Sequence, residues 1–490
     1  MLFNSPEFIF AFLPCVLLFY HVMASFNFTR IAMTFLTIAS LFYYSWWDVN
    51  YLPLILASIV FNFIIGELID KKRENAGKSL MIFGVSVNLL VLGVYKYTGF
   101  LVSQVNALFG LSLVVPTIPL PLAISFYTFT QIAYLADIYM EHDYFKDKRY
   151  NFLTYSLFIT VFPQLIAGPI LYHKDLIPQF SKKDFFKFDN EHFCAGITFF
   201  VVGLAKKVLI ADTLSPAVAL IFEGAENATF FEAWLGAISY TLQIYFDFSG
   251  YSEMAIGLCL MFNMRLPLNF DSPYRALSII DFWRRWHMTL SSFLKRYLYI
   301  PLGGNRHGQT AKLRNLMITM LLGGLWHGAG WTFIVWGGLH GMYLVVNHMW
   351  RMFCGNLKLP KILSWLVTFT AVVVAWVFFR AENMSDAVSL VKRMFDVRGV
   401  SIAGALSNAQ YPLLVTLHRR IIILFVAFAL PLTCLPNIQR ILNYHPDSDV
   451  GDKPVAQYRL RFVFLLGCLF FLVIKQLLEA TPGEFLYFNF

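Results

Sequence analysis

Apolar residues along the chain fall in long blocks, with polar residues confined to the gaps between them. The blocks cover residues 7–23, 31–47, 51–69, 79–95, 119–139, 153–171, 194–210 and 230–262. They resume over 313–325, 331–350, 362–379, 420–435 and 462–478. Crossing roughly 30 Å of hydrocarbon takes about 20 helical residues. The pattern therefore predicts an all-α polytopic membrane protein with about 10–13 transmembrane or re-entrant helices. Several blocks are short or interrupted by Gly and Pro, which predicts broken helices around a wet cavity in the middle third. The first block lacks a basic leader and two more follow it closely, so it reads as an uncleaved span. There is no internal repeat, and the chain reads as a single integral domain over 1–490, with 119–341 as its motif-bearing core.

The gaps carry the charge. Lys71, Lys72, Arg73 and Lys78 form one basic cluster and Lys146, Lys148 and Arg149 a second. The positive-inside rule assigns both to the cytoplasm, and three blocks before the first cluster leave the N-terminus outside. Composition agrees: 58% of residues are hydrophobic and 14% charged, against about 25% charged in soluble domains. The 51 Phe, 24 Tyr and 11 Trp suit a large lipid-facing perimeter. A net charge of +9 carried in short loops fits membrane topology better than a nucleic-acid surface. Cys15, Cys194, Cys259, Cys354, Cys434 and Cys468 are scattered without CxxC spacing, so they read as small buried hydrophobes and suggest neither a metal site nor a disulfide framework.

Residues 281–299 differ from the rest. Phe282, Trp286, Leu290, Phe293 and Tyr297 recur at helical spacing, and Arg284, Arg285, Lys295 and Arg296 supply four positive charges. This predicts an amphipathic helix lying at the interface, with His287 at its rim next to Trp283 and Trp286.

Polar groups inside hydrocarbon are costly, about 2.5–3.5 kcal/mol for a central charge on insertion scales, so each needs a reason. Gln243 and Asp247 share a helix face by i, i+4 spacing, and Glu253 follows in the same apolar run. Two readings stand for the acids: bonding helices together, including to an Arg of the neighbouring basic helix, or catalysis. His327 sits among Gly323, Gly324, Gly328 and Gly330, where small residues admit backbone or a ligand. A neutral imidazole there can take a proton near pH 7 and return it. His287 could orient substrate or stabilise an oxyanion, or simply reach for the interface. His340 repeats the Gly-flanked setting, with a structural role as its alternative. No His pairing at metal-ligand spacing appears, nor any GxGxxG, Walker A or GxSxG element. Arg284, Arg285, Lys295, Arg296 and Arg306, with Lys312 and Arg314 nearby, would meet the phosphates of a coenzyme A-type donor or would serve topology alone.

The words FWRRWH (282–287), YLYIPLGGNR (297–306) and GLWHGAGW (324–331) resemble the membrane-bound O-acyltransferase family. PLAISFY (121–127), FPQLIAGP (162–169) and QIYFDFSGY (243–251) are similar to its alginate O-acetyltransferase branch. The resemblance implies tilted helices around a central tunnel, with His327 at the family's catalytic position and His287 at its second active-site position. Asp247, Trp326, Gly328 and His340 would line that tunnel, and Asp247 or a backbone carbonyl would hold the other ring nitrogen of His327. It further implies acetyl-CoA as the cytoplasmic donor, no permanently bound cofactor or metal, and no nucleic acid. A periplasmic or membrane-anchored SGNH-type partner would complete transfer to an exported polysaccharide, from a multi-pass position in the bacterial inner membrane surrounded by lipid. D-alanyl or peptidoglycan acyl transfer, and a secondary transporter or flippase, are the alternatives.

Overall fold

The computed structural model describes the chain apart from residues 73–74, 142–149, 167, 183–184, 356, 358, 399–418, 434, 447–459, 480–482 and 487–490. Arg73, Lys146, Lys148, Arg149 and Cys434 thus lie outside the described residues. Among those described, helices and loops form the whole fold and no strand occurs.

Among the described residues, six helical runs are long and apolar enough to cross a bilayer: Phe8–Ser25, Val49–Lys71, Asn75–Phe109, Asn190–Glu223, Lys361–Arg380 and Leu460–Glu479. Their outer faces are apolar. Leu18, Leu90 and Phe464 are 68%, 66% and 69% exposed, which suits lipid and not water. The protein is a multi-pass membrane protein. Other blocks counted in the sequence form helices that are shorter or carry more polar residues.

The chain resolves into two compact units. Unit 1 comprises Met1–Leu204, Tyr251–Leu268 and Ile438–Asn489. Its main helices are α1 (Leu13–Ser25), α2 (Thr29–Ser45), α3 (Leu52–Lys71), α4 (Asn75–Phe109), α5 (Ile124–Met140) and α6 (Asn190–Ala205), with Leu460–Glu479 near the C-terminus. α4 far outruns the block at 79–95 because helix-compatible residues such as Tyr95, Ser103 and Gln104 continue past the apolar run. α5 starts at Ile124, after the Pro-containing stretch 119–123, which ends in a turn with Ala123 in the left-handed region (φ 63°). The block at 153–171 breaks into Phe152–Thr160 and Phe162–Leu165, as its Pro and Gly content predicts.

Polar pairs set the register of α3, α4 and α5. Asn62 and Asn88 exchange reciprocal amide hydrogen bonds of 3.1 and 2.7 Å between α3 and α4. Gln131 donates to Ser58 at 3.0 Å between α5 and α3. A Cβ on Gly84 would lie 2.7 Å from Leu135 and 3.0 Å from Ile65, so only glycine lets α4 come this close to both neighbours.

Unit 2 comprises Ala205–Gly250 and Asn269–Asn437. It opens with a π-helical turn, Lys206–Ala211, that leads into α7 (Asp212–Glu223). α8 (Phe230–Met261) contributes its residues up to Gly250 here and the rest to unit 1. Then follow α9 (Gly308–His327), α10 (Trp331–Phe353), α11 (Lys361–Arg380), α12 (Met384–Phe395) and α13 (Arg419–Leu432).

Two expectations are corrected. Residues 281–299 do not form one interfacial helix. They divide into Ile279–Trp283, Met288–Leu294 and a π-helical turn Lys295–Tyr299, and Phe282, Trp286, Leu290 and Phe293 are buried in the unit's core. The break falls at His287, whose backbone is left-handed (φ 43°, ψ 56°). The cysteines are also not uniformly buried: Cys259 is, Cys194 and Cys354 are half-buried, and Cys15 and Cys468 are exposed. On helices this apolar, an outward thiol faces the same kind of medium as an inward one.

Candidate active site

The site is built on the α9–α10 hairpin of unit 2. A Cβ on Gly324 would sit 2.3 Å from the Phe333 carbonyl oxygen, and one on Gly337 would sit 2.4 Å from that of Met320. The two helix backbones therefore touch, and glycine alone permits it. At Gly328 a Cβ would fall 2.1 Å from the Phe333 ring. Gly324 and Gly328, on either side of His327, thus serve backbone and ring packing.

This close packing fixes His327, the last residue of α9, against α10. Its imidazole lies 5.0 Å from the Trp336 ring, edge to face, and 5.1 Å from Phe379 of α11. Trp326 lies 4.8 Å away on the other side, and His327 is 2% exposed. One helical turn beyond Trp336, His340 packs 4.9 Å from the Trp336 ring and is fully buried.

His287 completes the group, with its ring centre 6.5 Å from that of His327. A left-handed non-glycine residue costs of order 1–3 kcal/mol and persists only where its surroundings enforce it. Asn269 does so here. Its backbone carbonyl accepts from Met288 N–H at 3.0 Å, and its side-chain oxygen accepts from the Thr289 hydroxyl at 3.0 Å and the Thr289 N–H at 3.4 Å. The same oxygen lies 3.0 Å from His287 Nδ1. A backbone N–H can only donate, so the Asn269 atom is the carbonyl oxygen; Nδ1 therefore carries the hydrogen and Nε2 the lone pair. His287 lies outside the membrane-crossing helices. Burial lowers its pKa from 6.5 to about 3, which keeps it neutral. It is not a rim residue.

His340 has the opposite tautomer. Trp283 Nε1, which can only donate, lies 3.3 Å from its Nδ1, so its hydrogen is on Nε2. That Nε2 and the indole nitrogens of Trp336 and Trp376 have no hydrogen-bond partner among the described residues. All three belong to buried rings in mutual contact: Trp336 stacks on Trp376 at 5.7 Å, and Trp376 lies 6.2 Å from His340. Each buried donor left unmade costs about 1–3 kcal/mol.

Asp247 is held by a lysine that the sequence reading passed over, rather than by an Arg of the basic segment. Lys207 Nζ lies 2.7 Å from Asp247 Oδ1 and 2.7 Å from Asp212 Oδ1. Lys207 is buried within the π-helical turn, and Asp247 is 1% exposed. The readable signal was a lone acid in an apolar run, which demands a cation, and Lys207 closing the apolar block before it. Gln243, one turn from Asp247, is buried with its Oε1 unpartnered among the described residues. Glu253 falls in unit 1.

The basic residues differ among themselves. Arg285 is tied to Asp281 at 3.0 Å and Asp271 at 3.3 Å. Arg284, Lys295 and Arg306 are exposed, and Arg296 is half-buried against Tyr297.

Among the described residues the protein is all-helical, with buried imidazoles beside N–H donors that have no partner there. The family model for MBOAT, the membrane-bound O-acyltransferase family, matches residues 140–384. The chain belongs to this family and is an acyltransferase. It is 40% identical to the Peptidoglycan O-acetyltransferase of Helicobacter pylori over 100% of this chain and 98% of that one. It is 44% identical to the Probable alginate O-acetylase AlgI of Pseudomonas aeruginosa over 81% of this chain and 75% of that one. The protein of the same name from Azotobacter vinelandii is 41% identical over 100% of both.

Proposed function

We propose that the protein transfers an acetyl group from cytoplasmic acetyl-CoA, through a tunnel reaching His327, for O-acetylation of an exported polysaccharide. The observation that carries this reading is the pairing of His327 and His287 beside three buried N–H donors without acceptors among the described residues. An acyl carbonyl that becomes an oxyanion is what such donors fit.

In the reaction a hydroxyl oxygen bonds to the acetyl carbonyl carbon and the carbon–sulfur bond breaks. His327 takes the hydroxyl proton and returns it to the departing coenzyme A thiolate, giving an acetyl ester and free thiol. His287, neutral and with its lone pair on Nε2, is a second base to relay that proton. His340 Nε2–H and the indoles of Trp336 and Trp376 hold the oxyanion. Arg284, Lys295, Arg296 and Arg306 offer charge to the donor's phosphates, whereas Arg285 is committed to its carboxylates. Acetyl-CoA is a substrate, and no resident cofactor or metal is required.

The relatives named for alginate and for peptidoglycan support an acceptor with sugar hydroxyls. A periplasmic or membrane-anchored SGNH-type partner would finish the transfer. The setting is the bacterial inner membrane. The test is purified protein in liposomes with labelled acetyl-CoA inside and acceptor partner outside. Release of free coenzyme A coupled to labelled acceptor is expected, while passage of substrate with the thioester intact would establish a transporter instead. Polymer acetyl content in deletion and parent strains identifies the acceptor.

A further inference from the structure

The word PLAISFY that supports the family resemblance leads into α5 of unit 1, apart from the histidines. Its last residue, Tyr127, lines a cleft of about 180 Å³ among α3, α4 and α5. Leu54, Ala57 and Phe61 of α3 and Val87 and Val91 of α4 form the apolar walls. The Tyr127 ring is 3% exposed, and its hydroxyl has no hydrogen-bond partner among the described residues.

The surroundings define the occupant. α3 and α4 belong to membrane-crossing runs, so the cleft is bathed in lipid. Its volume is below the roughly 300–1,000 Å³ of sites that enclose a drug-sized ligand. It therefore takes part of a molecule, as an acyl chain would present. A hydroxyl left unmade in hydrocarbon costs several kcal/mol, which calls for an acceptor on that chain.

Helix direction then indicates which lipid. Ser58 pairs with Gln131, and Gly66 abuts Tyr134 and Ile138, so α3 and α5 run parallel. α4 runs against both, with Asn88 meeting Asn62 and Lys96 donating to Ser125 at 3.3 Å. Leu54, Tyr127 and Lys96 thus share one end of the three helices. A lipid entering there would lay its tail against the apolar walls of the cleft and bring its ester and phosphate toward Tyr127, which lines it, and Lys96, which lies at the same end beside Ser125. We propose that this cleft is a binding site for one acyl chain of an anionic phospholipid, with Tyr127 donating to the ester and Lys96 attracting the headgroup.

The full-length protein in liposomes containing a phosphatidylglycerol with a diazirine in its acyl chain tests this, with adducts mapped by mass spectrometry. Adducts should concentrate on residues 54–61 and 87–91, and Ala57→Trp should lower them at least tenfold. Labelling of the exposed Phe464 and Leu472 near the C-terminus should not change. Tyr127→Phe should reduce cleft labelling about threefold. Lys96→Ala should abolish the preference for phosphatidylglycerol over a phosphatidylcholine probe. If Ala57→Trp misfolds, Val91→Phe fills the same space. Cleft labelling no greater than at Phe464, or unchanged in a folded filled variant, would overturn the proposal.

Discussion

Buried histidines occur in both units, in contrasting settings. In unit 1, fully buried His173 meets a partner at each ring nitrogen: the Tyr150 hydroxyl lies 2.9 Å from Nδ1, and Asp137 Oδ2 lies 3.2 Å from Nε2. The second is an ion-pair contact rather than a well-aligned hydrogen bond. In unit 2, His340 is equally buried, and among the described residues Trp283 meets its Nδ1 while its Nε2 and the indole nitrogens of Trp336 and Trp376 meet no partner. A satisfied polar network holds helices in place, whereas an unsatisfied one keeps donors available for a substrate. His173 is thus engaged at both ring nitrogens, by a hydroxyl and by a carboxylate, whereas the Nε2 of His340 meets no such group among the described residues.

Substitutions in the two units should therefore fail differently. The largest effect is expected for His327→Ala, with coenzyme A release falling about 10²- to 10⁴-fold as expected for loss of a general base. Expression and thermal midpoint should stay near the parent's; retention of parental turnover would remove His327 from its role. Trp336→Phe keeps the ring and deletes one N–H, and should lower kcat by about 10²-fold with little change in KM. A rise in KM alone would mean that the indole binds substrate without stabilising the transition state.

Stability readouts sharpen the comparison, first at a buried ion pair of unit 2 and then at His173's partner in unit 1. Lys207→Met leaves Asp247 buried without its cation and should destabilise the fold by about 3–5 kcal/mol. Adding Asp247→Leu should restore part of the loss in thermal unfolding of the detergent-solubilised protein. Asp137→Asn should cost less, about 1–3 kcal/mol, with turnover per folded molecule unchanged. A fall in turnover there would erase the contrast between the units.

The smallest effect concerns pH. With its pKa lowered to about 3, His287 is neutral throughout pH 5–8. His287→Gln should slow acetyl transfer while leaving any acidic limb of the kcat profile in that window in place. Disappearance of that limb would assign the titration to His287.

Much of the candidate site was legible. His327, His287 and His340 were found because imidazole is out of place in apolar sequence, and the structure brings all three into unit 2. Of the two reasons given for the glycines, close backbone approach is the one seen at Gly324, and Gly328 makes room for the Phe333 ring. His287 was read as part of a continuous helix because periodicity assumes an unbroken one, and nothing local announces a left-handed turn held by Asn269, 18 residues earlier. Lys207 was hidden because a cation closing an apolar run looks like a topology signal.

Sequence alone established a membrane protein, helical throughout its described part, and the polar residues that needed explaining, because composition and block length act over one helix at a time. Tertiary structure decided which of those residues are answered. The Trp283 donor to His340 comes from 57 positions away, and Lys207 is 40 positions from Asp247 in numbering yet 2.7 Å away in space. Tautomers, ion partners and unmade hydrogen bonds depend on such distant neighbours, which only close helix packing brings together.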